Sequence, residues 1–115
     1  MVTNFGKELR KIRIDKGENI NDMAKKLGIS ISYLSSIETG TRKIPTGFAD
    51  KIIDIYHLKQ EKSEVILQAL IDSSIDIDID LSKVSSQQRK LVFALSRKLN
   101  DISDKDCLEI IRKLK

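Results

Sequence analysis

Four short hydroxyl side chains, Ser32, Ser35, Ser36 and Thr39, recur at i, i+3, i+4 and i+7. On a helix that spacing puts them on one face. A hydroxyl can donate one hydrogen bond and accept two, so the face can bond a polar surface. Having no long side chain, it also lets that surface come close. Just downstream, Arg42 and Lys43 add two cations. This is the chemistry of reversible binding. Bond-making chemistry has far less to draw on. The chain holds one histidine, His57, and one cysteine, Cys107. Neither has the partners that a nucleophilic triad or a metal centre needs, and no glycine-rich loop can cradle a phosphate. No enzyme and no cofactor is expected. His57 reads as a surface residue near a helix end, and Cys107 as a small buried hydrophobe on a helix. Asp76, Asp78 and Asp80 open like a calcium loop, but Leu81 stands where the glycine belongs and Gln87 where the closing glutamate belongs. No metal is expected there.

The hydroxyl face needs elements to hold it, and residues 20–39 supply them. Ala24 is small enough for a second helix to cross close to the first. Gly28 follows Leu27, where the first helix should end in a reversal that wants positive φ. Ile29 can plug the corner, and Ser30 has the side chain of an N-cap. Leu34 and Ile37 turn one stripe of the second helix inward, leaving the hydroxyls outward. A helix so dressed suits entry into the major groove of DNA. Ile31 can touch a thymine methyl. Tyr33 is two-sided, its ring packing or meeting bases. No Arg, Gln or Asn lies on this face, so the strongest bidentate base contacts are missing and readout should be permissive. Thr41, Arg42 and Lys43 form a loop that can reach phosphates, with Gly40 as the cap before it.

The residues Leu9-Arg10-Lys11-Ile12-Arg13, Met23-Ala24, Leu27-Gly28-Ile29-Ser30 and Tyr33-Leu34-Ser35-Ser36-Ile37-Glu38 with Gly40 resemble the helix-turn-helix of the lambda-repressor-like, Cro-type (XRE) family. The resemblance covers roughly residues 5–70. It implies a five-helix DNA-binding domain, a recognition helix at 31–39, and a DNA-binding set of Ser30, Ile31, Ser32, Tyr33, Ser35, Ser36, Thr39, Thr41, Arg42 and Lys43. It also implies that Arg13 pairs with Glu38. Physical reasoning agrees on that pair, since a glutamate at a helix C-terminus opposes the dipole and a forked guanidinium can satisfy it. Many relatives carry a phosphate-bonding Gln just after the cap of the second helix. Here that residue is Ile20.

Around the motif, helices are expected at 5–16, capped by Thr3 or Asn4 with Phe5, Leu9 and Ile12 inward, and at 20–27, capped by Asn19. A fourth is expected at 47–58, capped by Thr46 with Phe48, Ile52, Ile55 and Tyr56 inward. A fifth, at 61–72, presents Val65, Leu67 or Ile66, and Leu70. Beyond Ser73-Ser74 the period falls to two: Ile75, Ile77, Ile79 and Leu81 alternate with aspartates, the signature of an extended segment with one apolar edge. Such an edge must lie on helices or pair with another strand. Ser85 with Gln88 then boxes a helix at 86–99, and Ser103 caps another at 104–114. These two should form a hairpin, with Leu91, Leu95 and Leu99 facing Leu108, Ile111 and Leu114. It is too small to fold alone.

The expected architecture is all-α: a helix-turn-helix domain over 1–72 and an extension over 73–115 that binds a second copy or another protein. Charge is uneven. Residues 1–60 carry 11 Lys/Arg against 7 Asp/Glu, and residues 61–115 carry 10 of each. A basic first half suits a polyanion. One cysteine excludes an intrachain disulfide, and neither a signal peptide nor an apolar span is evident, which fits a cytoplasmic protein. The function expected is a dimeric, sequence-specific regulator of transcription, most simply a repressor. The alternative is a protein-interaction module, antitoxin-like or controlled by an anti-repressor, with DNA binding secondary.

Overall fold

The computed structural model describes residues 1–115, and the chain is all-helical. It divides into two compact units, Met1–Asp78 and Ile79–Lys115. The first unit holds α1 (Asn4–Lys16), α2 (Ile20–Leu27), α3 (Ile31–Glu38), α4 (Phe48–Ile55) and α5 (Gln60–Ser73). Their boundaries follow local chemistry. Thr3 Oγ1 accepts the Gly6 amide at 3.1 Å to open α1. Asn19 and Asp22 box the start of α2, at 2.8 and 2.9 Å. Gly28, at φ 71°, makes the sharp turn between α2 and α3, a conformation that costs other residues a Cβ clash.

The core is one cluster. Phe5, Leu9 and Ile12 of α1 meet Met23, Ala24 and Leu27 of α2, Leu34 and Ile37 of α3, Phe48, Ala49 and Ile52 of α4, and Ile66 and Ala69 of α5. On α5 the buried side chains are Ile66 and Ala69, with Leu70 partly covered, while Val65 and Leu67 are exposed. The inner stripe of α5 is therefore narrower than its apolar content suggests. α4 also opens differently from expectation. Thr46 does not cap it. Gly47 does, at φ 79° and with no side-chain bond, and the Thr46 hydroxyl donates instead to the Asp78 carbonyl at 3.2 Å.

The approach of α1 to α3 fixes the unit. Thr3 donates its amide and its hydroxyl to the Glu38 carbonyl, each at 3.0 Å. The positive end of the α1 dipole thus faces the negative end of α3. The contact is so close that a Cβ on Gly6 would stand 2.2 Å from the Glu38 carbonyl oxygen. Beside it, Arg13 and Glu38 form a buried bidentate pair, one arm at 3.0 Å. The same guanidinium lies 3.3 Å from Met23 Sδ, and Arg10 Nε lies 3.7 Å from the Glu38 carboxylate. A second polar knot joins α2 to the end of α4: Tyr56 donates its hydroxyl to Glu18 at 2.7 Å, and Lys26 pairs with Glu18 while lying 4.9 Å above the Tyr56 ring.

In the second unit, α6 (Ser86–Lys98) and α7 (Asp104–Leu114) are joined by a 3-10 turn at Leu99–Asp101. Ser85 with Gln88 caps α6 and Ser103 caps α7. No residue here is buried. Leu91, Phe93, Leu95, Leu99, Leu108, Ile111 and Leu114 are all exposed. Cys107, expected to be buried, is only half-covered. Residues 75–81 form no strand.

Two stability measurements follow. Glu38→Ala should lower stability by about 3 kcal/mol, since it strands a buried guanidinium, whereas replacing both Arg13 and Glu38 by apolar residues of similar size should cost less. Equal losses in thermal melts would mean the charge pairing itself is not what matters. Hydrogen bonds from Lys26, then Tyr56, hold the Glu18 carboxyl below its ordinary value of 4.5. A lowered folded-state value means this stabilisation is full above the unfolded value and is lost as pH falls through the folded one. Melting temperature should therefore fall more steeply below pH 4.5 in the native chain than in Glu18→Gln.

Candidate nucleic-acid interface

The packing decides which side of α3 is available. Leu34 and Ile37 are buried and Ala24 lets α3 cross α2 closely, so Ser32 and Ser35 face solvent with Ser36 and Thr39 beside them. Ile31 is exposed at the N-terminal end, where a recognition helix meets base edges. No acidic residue occupies the first turn of α3, so its dipole favours an anion there.

The hydroxyls are not equivalent. Ser30 Oγ accepts the Tyr33 amide at 3.0 Å. It is the cap, and it keeps its own proton for an outside acceptor. Ser36 donates back to the Ser32 carbonyl at 2.9 Å, and Thr39 to the Ser35 carbonyl at 3.0 Å. These two offer an outside partner lone pairs and not a proton. Ser32 and Ser35 make no such bond and can serve either way.

The loop after α3 is tied to it. The Arg42 amide donates to the Ser36 carbonyl at 3.1 Å, and the hydroxyls of Thr39 and Thr41 lie 3.1 Å apart. The Arg42 guanidinium sits 5.3 Å above the ring of Tyr33. Tyr33 itself is partly buried against the core. Its ring packs and carries a cation, which holds Arg42 beside α3. Lys43 is turned to Asp76 and Asp78, with its Nζ 3.3 Å from an oxygen of each.

The start of α2 differs from that of α3. Asn19 takes the Asp22 amide, and the Asp22 carboxylate sits at the same helix end. An incoming phosphate would meet a like charge there. With Ile20 in place of a polar residue, α2 has little to offer the backbone.

Two contacts of the site go beyond the sequence expectations. Arg10 is a second cation on Glu38, and its i, i+3 spacing from Arg13 was the available signal. The docking of Asp76 and Asp78 on Lys43 was signalled only by opposite charge, across 35 residues for the Asp78 contact. The charge balance of the first compact unit differs from that of residues 1–60. Over Met1–Asp78 there are 12 Lys/Arg and 12 Asp/Glu, because the acids of α5 and of residues 76–78 offset the basic first half.

A family model described as Helix-turn-helix domain matches residues 6–69. The chain is also similar to the HTH-type transcriptional regulator SinR of Bacillus licheniformis, with 31% identity over 75 residues, covering 60% of this chain and 68% of that protein. The SinR protein of Bacillus subtilis (strain 168) matches with the same identity and coverage. No solved structure matches at a significant level.

Arg42→Ala should weaken binding to all duplex sequences alike and reduce the salt slope of the binding constant by about one. Titrations against two unrelated duplexes at several salt concentrations check this. A changed preference between the duplexes would mean Arg42 reads bases.

Proposed function

Since the chain belongs to the Cro-type (XRE) helix-turn-helix family, we propose that it is a cytoplasmic, DNA-binding regulator of transcription that acts as a dimeric repressor. One observation carries the reading. α3 stands on a buried ion pair and a packed crossing, with short hydroxyl side chains and Ile31 on its outer face. Each subunit sets this face in a major groove, with Ser30, Ile31, Ser32 and Ser35 toward base edges and Ser36 and Thr39 accepting from donors there. Thr41, Arg42 and Lys43 grip phosphates. Phosphate contacts set position and affinity, and base contacts set sequence. Blocking polymerase is then a matter of occupancy alone.

A single serine-rich face discriminates weakly. Coupling two of them to an inverted repeat multiplies discrimination, because the second half-site is bound at high effective concentration. The second unit supports this coupling. Most of its leucines and isoleucines are exposed, and a second copy presents the same apolar stripes in return. That bareness also favours one other occupant, a different regulatory protein, whose arrival would separate the two subunits or replace one of them. No helix is long and apolar enough to cross a membrane.

Selection of binding sites from random duplex DNA by the full chain should recover an inverted repeat whose half-sites lie about one helical turn apart. A single half-site would assign the second unit to another protein. Enrichment of nothing would make the helix-turn-helix a scaffold for protein contacts.

A further inference from the structure

Residues 75–78 leave α5 and run beside the loop that follows α3. They form a strap held at polar points. Lys43 Nζ is 3.3 Å from Asp76 Oδ1 and 3.3 Å from Asp78 Oδ1, and Thr46 donates to the Asp78 carbonyl at 3.2 Å. Apolar burial does not hold the strap, for Ile75 is 102% exposed and Ile77 is 73% exposed. Beneath it a groove of about 500 Å³ remains, floored by Ile37, Ile44 and Leu70. The contact is therefore reversible by nature. Both aspartates stay open to water, and exposed ion pairs are weak and screened by salt.

The strap's chemistry copies that of the proposed ligand. Alternate residues of an extended chain point to one side, so Asp76 and Asp78 present two anions in a row to the cation that the loop would offer to phosphates. Hydrogen bonds to Asp78, then Asp76, hold the Lys43 ammonium above the ordinary lysine value of 10.5. Their two charges complete the cancellation of the unit's positive excess. A neighbouring cation, Arg42, is left out of this arrangement and rests on Tyr33.

We infer that the Asp76–Asp78 strap is an intramolecular competitor of DNA: it occupies Lys43 in the free protein and is displaced when a duplex phosphate takes its place. The inference rests on the proposed reading of the loop at 41–43 as a phosphate contact. Its effect is to lower affinity without altering the face that reads sequence. Any partner that draws the strap away from Lys43 would raise affinity from a distance.

A double-mutant cycle on the full chain tests it, with dissociation constants measured on one duplex at low salt. Asp76→Asn with Asp78→Asn should tighten binding roughly two- to fivefold, the strength of exposed ion pairs. In a Lys43→Ala background most of that gain should vanish. An equal gain in both backgrounds would mean only that two negative charges left the neighbourhood, and would overturn the inference. So would no gain at all while Lys43→Ala still weakens binding, an outcome that keeps the loop's phosphate role. If Lys43→Ala leaves affinity unchanged, the loop reading fails at that residue and the strap has nothing to compete for. All three substituted residues are exposed, so thermal melts of the four proteins in the cycle should coincide and exclude misfolding as the cause.

Discussion

Everything in the first unit depends on one buried carboxylate. Glu38 stands at the C-terminus of α3, where the helix dipole disfavours it, and it is nearly inaccessible to water. Left alone it would be too costly to keep charged. Arg13 makes it tolerable with a bidentate grip, and the Glu38 carbonyl is taken by Thr3. One residue of α3 thus engages the start, the middle and the neighbouring turn of α1. The consequence reaches backwards along the chain. Gly6 must lack a side chain because the two helices meet there, and Met23 of α2 lies against the same guanidinium. Three helices are set relative to one another by a polar interaction of defined geometry, which an apolar contact alone would leave freer to slide.

What this fixes is a plain surface. The outer side of α3 has no long side chain, and half of its hydroxyl protons are returned to the helix's own carbonyls. A face of that kind gains from close approach and offers few strong base contacts. In the proposed reading, selectivity then comes from the shape of the duplex and the pairing of half-sites, while the cations released to the backbone set affinity. The chain places its cations accordingly, one stacked on Tyr33 and one tied to aspartates.

The sequence was most informative where a single residue type has a single physical use. Gly28 could only be the turn, Ser30 and Ser85 could only be caps, and the spacing of Leu34 and Ile37 defined the inside of α3. The family pattern led directly to Arg13 and Glu38. It was least informative where several residues compete for one role. α5 has Val65, Ile66 and Leu67 in a row and Leu70 and Ile71 beyond Gln68 and Ala69, and periodicity alone does not say that Ile66 and Ala69 are the ones turned inward. Thr46 has the side chain of a cap, yet Gly47 holds that place because a left-handed residue was needed after Pro45, and Thr46 found another acceptor. The strap was illegible for a different reason. Its partner lies far away in sequence and the attraction is electrostatic, which leaves no periodic trace.

The bare apolar faces of α6 and α7 carry a consequence for how the protein behaves as its amount changes. In the proposed dimer the second unit gains its cover through association, so its stability is governed by mass action as well as by temperature. The first unit has a core of its own, and that contribution does not depend on dilution. A polypeptide so paired would have two laws of stability, one at each end. At low copy number the dimer would dissociate and leave the apolar faces of the second unit open to proteases and chaperones. A regulator built this way would measure its own abundance.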